Sequence, residues 1–84
     1  MKPRKILAKA LSSPANLRFT EMQRLVEAFG FRLLRVTASH HIYGRPGTPE
    51  QINLQNVDGK AKPYQVRQLL RLVERYNIQM EGGR

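Results

Sequence analysis

Apolar residues along this chain change their spacing several times, and each change marks an element. Met22, Leu25, Val26 and Phe29 recur every three or four positions, so one stripe of a helix faces a core. Thr20 followed by Gln23 predicts a capping box, Glu21 suits the positive end of the helix dipole, and Gly30 supplies a left-handed stop. Phe31 to Thr37 predicts a strand, although its alternation through Arg32, Leu33, Leu34, Arg35 and Val36 is imperfect. Ala38-Ser39 reads as a short turn, and His40 to Tyr43 as a second strand closed by a loop from Gly44 to Pro49. Gln51 to Gln55 alternates cleanly, with Ile52 and Leu54 inward and Gln51, Asn53 and Gln55 outward. After an Asp58-Gly59 turn, Pro63 opens a second amphipathic helix with Val66, Leu69, Leu70, Val73 and Tyr76 on its apolar stripe.

Residues 3 to 11 predict a short basic helix, ended by Ser12-Ser13-Pro14-Ala15-Asn16 and packed loosely as a surface arm. The tail after Ile78 is expected to fray. The chain therefore divides into a basic N-terminal extension (1–18), one folded domain (19–78) and a frayed tail (79–84). The expected fold is α+β: a two-layer sandwich with a three-stranded antiparallel sheet, two helices on one face, and the short N-terminal helix in front. The second sheet face is left for solvent or a partner.

Charge adds a direction to this outline. The 84 residues carry fifteen Lys and Arg against six Asp and Glu, a formal net charge of +9. So dense a positive field attracts polyanions: nucleic acid, an anionic membrane surface or an acidic protein. Arg67, Arg71 and Arg75 fall on one helix face, where like charges four residues apart repel by roughly 0.2–0.5 kcal/mol per pair. That cost implies a compensating role for the row. Without cysteine, disulfides and thiolate metal sites are excluded. Ile6-Leu7-Ala8 is cut short by Lys9, so it makes no export signal, and no run reaches membrane-spanning length. A cytoplasmic location, no membrane association and no cofactor are expected.

The two histidines, His40 and His41, are adjacent. On a strand they point to opposite faces and cannot chelate one ion, and Asp58 and the glutamates add no ligand spacing. Ser39-His40 as neighbours do not form a serine–histidine relay, and Gly44 and Gly47 lie in no nucleotide-binding loop. RNA cleavage needs less machinery. The ribose 2′-hydroxyl is an internal nucleophile, an imidazole with an ordinary pKa of about 6.5 can take its proton, and Lys or Arg can offset charge on phosphorus. Lys60 and Lys62, just ahead of the Pro63 helix, are candidates for binding phosphate, with Arg45 and Arg67 extending the surface.

Val36-Thr37-Ala38-Ser39-His40-His41-Ile42-Tyr43 followed by Arg45-Pro46 resembles the central signature of the HicA toxin family: glycine, serine, histidine, an apolar strand and a basic–proline loop. Ile52-Asn53-Leu54-Gln55 and the run from Gly59 to Val66 resemble one branch of that family, and the likeness extends from about Phe19 to Ile78. The resemblance implies a fold like a double-stranded-RNA-binding domain. It also implies an endoribonuclease (mRNA interferase) acting on messenger RNA and held inactive by a HicB-type antitoxin. The family's histidine falls on His40, here the expected general base with Ser39 orienting it. Ala38 stands where the family has glycine, which matters if that position needs a positive φ. If Ile42 points into the core, strand alternation puts His40 there too and turns His41 outward, so His41 is the second candidate. A non-catalytic RNA-binding protein using the same basic surface is the alternative function.

Overall fold

A computed structural model describes residues 2–81. Its elements are α1 (Pro3–Ser12), a single 3₁₀ turn (Pro14–Asn16), α2 (Phe19–Ala28), β1 (Arg32–Thr37), β2 (His40–Arg45), β3 (Thr48–Gln55) and α3 (Pro63–Tyr76). The strands form one antiparallel sheet in the order β1-β2-β3. The fold is α+β, an open three-stranded sheet with three helices.

Alternation decides which sheet face is covered. Tyr43, Ile52 and Leu54 are buried, and the pairing of Tyr43 with Ile52 puts them on a common face. Val66 and Leu69 of α3, with Met22, Leu25 and Val26 of α2, belong to the same core. Gln51 and Asn53 are exposed on the other face, as their alternation predicts.

α2 starts one residue before Thr20, and the expected Thr20–Gln23 box does not form. Arg18 occupies the cap position and has no side-chain acceptor, so only the reciprocal arm exists: Glu21 Oε1 accepts the Arg18 N–H at 2.9 Å. Gln23 instead donates to the Tyr43 hydroxyl at 3.2 Å, tying α2 to the sheet. Gly30 ends the helix at φ +89°, and a Cβ there would lie 2.9 Å from the Glu81 carboxylate.

The irregular alternation of the first strand has a structural cause. Leu33 pairs with Tyr43 but Arg35 with Ile42, so Leu34 is the extra residue of a β-bulge. The expected loop from Gly44 to Pro49 contracts to Pro46-Gly47, because Arg45 already pairs with Thr48 and Gly47 takes φ +82°.

Two boundary expectations are corrected. The N-terminal segment is no loose arm: Ile6, Ala10 and Leu17 have no exposed surface and join the core. Burying an Ile or Leu contributes about 1.5–3 kcal/mol each, which offsets the entropy of ordering the segment. Lys9 also reaches across to Glu21 at 2.9 Å. After Ile78 the chain does not fray at once. The Glu81 N–H donates to the Ala28 carbonyl at 2.6 Å, and the Glu81 carboxylate pairs with Arg32 at 2.8 Å. The expectation for 82–84 lies outside the described residues.

Candidate functional site

The site begins at the turn between β1 and β2. Thr37 pairs with His40, leaving Ala38-Ser39 as a two-residue loop. Right-handed strand twist favours turns with a positive φ at the first loop position, and Ala38 has φ +56°. A Cβ in that conformation costs about 1–2 kcal/mol. Alanine therefore takes the backbone conformation that glycine would adopt without strain, and the register of His40 is kept.

That register puts the histidines on opposite faces. The residue of β2 that enters the core is Tyr43, 1 % exposed, and Ile42 is only half-buried on the open face. The premise that Ile42 points inward is thus corrected, and His40 goes outward with Ile42. Tyr43 fits the inner position because its ring fills the core while its hydroxyl meets Gln23. Burial raises the pKa of that hydroxyl above the usual phenol value, so it stays protonated.

His40 is half-buried, and its Nδ1 lies 3.1 Å from Asn53 Oδ1. With the amide oxygen accepting, Nδ1 is the donor, and in the neutral ring Nε2 then keeps its lone pair. Nε2 has no hydrogen-bond partner among the described residues. His41 lies on the helix side, its ring edge-on to Phe19 at 4.8 Å and Nδ1 3.4 Å from the Ser39 carbonyl. Ser39 also accepts the Asn56 N–H through that carbonyl at 3.4 Å, and its hydroxyl has no protein partner among the described residues. Asn53, not Ser39, holds the His40 ring. Its outward position was visible in the alternation of β3, but its pairing with His40 needs the register.

None of the predicted cations shares a hydrogen bond with His40 among the described residues. Arg45 Nε donates to the Phe29 carbonyl at 2.9 Å, and its remaining contacts are the Pro46 carbonyl (3.3 Å) and Thr48 Oγ1 (3.5 Å). It thereby caps the negative end of α2. Lys60 is exposed in a segment tied to the helix layer, since its backbone bridges to Arg18 and the Phe19 N–H donates to Gly59. Lys62 Nζ lies 5.9 Å from the Tyr64 ring centroid. Arg67 and Arg71 are exposed on α3 without an ion partner among the described residues, whereas Arg75 lies 3.6 Å from Glu50. On the His40 side, Arg35 and Thr37 of β1 and Asn53 and Gln55 of β3 border the ring.

No group of three or more His, Cys, Asp or Glu side chains that could hold a metal ion exists among the described residues. No helix among them is long and apolar enough to cross a membrane. Comparison with known proteins finds no matching family model, no similar curated protein and no similar solved structure.

Proposed function

We propose that this chain is a metal-independent endoribonuclease, an mRNA interferase of the kind found in toxin–antitoxin pairs, working from the open face of its sheet. The observation that carries the reading is the His40–Asn53 hydrogen bond, which leaves a proton-accepting Nε2 on an accessible surface. A histidine held through one nitrogen by an amide or carboxylate, with the other free, is arranged to act as a base. The net charge of +9, with Lys60 and Arg67 exposed, supports RNA as the substrate, because phosphate contacts supply most of the affinity for a polyanion.

In the reaction, Nε2 takes the proton of a ribose 2′-hydroxyl, and the 2′-oxygen attacks the adjacent phosphorus. The bond from phosphorus to the 5′-oxygen breaks, that oxygen takes a proton from water, and the hydroxide left behind takes the proton from Nε2, which restores the base. The products are a 2′,3′-cyclic phosphate and a 5′-hydroxyl, with no oxidant, metal or cofactor consumed. The helix–sheet–helix order is in keeping with a double-stranded-RNA-binding-domain-like framework, and the signature around His40 with HicA toxins. A HicB-type antitoxin and a cytoplasmic setting belong to the same proposal. That Lys60, Lys62 and Arg67 make no hydrogen bond to His40 among the described residues supports a second reading, a non-catalytic RNA-binding protein that uses the basic surface alone.

Incubation with RNA in excess chelator separates the two. The nuclease reading expects continued cutting and cyclic phosphate ends. An absolute need for magnesium, or RNA bound but left intact, rejects it.

A further inference from the structure

We propose that Arg35 holds the scissile phosphate beside His40. This inference rests on the nuclease reading and adds the cation that the reading lacks.

The placement follows from register. Arg35 pairs with Ile42, and Thr37 pairs with His40, so Arg35 and His40 are diagonal neighbours on the open face. Residues so related lie about 7–8 Å apart, a gap that one phosphate group can bridge between an extended guanidinium and an imidazole. The Leu34 bulge makes this possible. Continued without it from the Leu33–Tyr43 pair, the strand would set Leu34 opposite Ile42 and turn Arg35 to the helix side with His41. Leu34 instead lies over Gly44, where an added Cβ would come within 2.8 Å of its Cδ1.

Competing cations are engaged or face elsewhere. Arg32 is bound to Glu81 and to the carbonyls of Glu27 and Phe31. Arg45 caps α2, Arg67 lies on α3, and Lys60 and Lys62 belong to the segment ahead of α3. Arg35 is exposed and has neither an ion pair nor a side-chain hydrogen bond among the described residues. A guanidinium presents paired donors that match phosphate oxygens, which lysine can only approximate with a point charge. An exposed arginine on a bare strand contributes little to packing, so substituting it tests chemistry rather than folding.

The test compares single-turnover cleavage of a short RNA by wild type, Arg35→Ala and Arg35→Lys, with melting temperatures alongside. Arg35→Ala is expected to lose about 10²–10³-fold in rate, as when one charge-stabilising donor is removed, with an unchanged melting temperature. Arg35→Lys is expected to recover about tenfold of that loss through its retained charge. In a His40→Ala background that binds without cutting, Arg35→Ala should reduce the salt dependence of RNA binding by about one phosphate contact. If wild type cuts and folded Arg35→Ala cuts equally fast, Arg35 is not the phosphate group and the nuclease reading stands. No recovery in Arg35→Lys, or an unchanged salt dependence, also overturns the assignment. If wild type leaves RNA intact, both proposals fall together.

Discussion

His40 on β2 and Asn53 on β3 meet across the open face of the sheet, Nδ1 to Oδ1 at 3.1 Å, while His41 turns to the helix side and meets Phe19. The adjacent imidazoles thus differ in surroundings as sharply as two surface residues of one strand can. One is presented to solvent with a free nitrogen; the other is packed against an aromatic edge.

His40→Ala should lower RNA cleavage by about 10²–10⁴-fold, the usual contribution of a general base, with little change in melting temperature. His41→Ala should do the reverse, lowering the melting temperature by removing the Phe19 contact and sparing most of the rate. Parallel cleavage assays and thermal melts check both. A dead but folded His41→Ala would reassign the base.

Removing the ring's partner should act on rate through orientation. Asn53→Ala loses one hydrogen bond of about 1 kcal/mol, roughly fivefold in rate if it is fully felt in the transition state. Asn53→Asp puts a carboxylate beside the ring and favours imidazolium, so the acid limb of the pH–rate profile should move to higher pH. A profile that does not move would mean that Asn53 does not touch the catalytic ring in solution.

Ala38→Gly should stabilise the fold. It relieves a positive φ worth about 1–2 kcal/mol and returns about 0.4–1 kcal/mol in unfolded-chain freedom, a net gain near 0.5–1 kcal/mol. For a domain of this size the melting temperature should rise by several degrees, at about 4–8 °C per kcal/mol. No rise would show that the turn adopts another conformation.

Lys60→Ala with Lys62→Ala should weaken RNA binding and flatten its salt dependence without slowing single-turnover cleavage at saturation. Both precede α3 and make no hydrogen bond to His40 among the described residues, so they are expected to hold RNA rather than to act on the phosphate at His40. A lower saturated rate would bring them into the site.

Glu21 ties α1 to the start of α2. The Lys9 ammonium and then the Arg18 N–H hydrogen-bond its carboxylate and lower its pKa from the ordinary 4.5. A folded-state value below the unfolded one adds stability above the unfolded pKa, and this is lost as pH falls through the folded value. Glu21→Gln should therefore lower the melting temperature near neutrality and flatten its fall on acidification. An unchanged acid profile in Glu21→Gln would place the linkage elsewhere.

Much of the framework was legible because its signals are local. Helical spacing from Met22 to Phe29 and from Val66 to Tyr76, the stop at Gly30, the start at Pro63 and the alternation around Ile52 and Leu54 depend only on near neighbours. Strand periodicity likewise put the two adjacent histidines on opposite faces. What the local pattern left open was the face. In His40-His41-Ile42-Tyr43 two apolar residues follow one another, and period-two spacing cannot tell which belongs to the core. The helix layer decided it, since Tyr43 fills the core and offers its hydroxyl to Gln23. The Leu34 bulge, the Asn53 contact and the capture of Arg45 by the end of α2 were hidden for the same reason. Each joins residues distant in sequence, and only packing fixes which of them share a face.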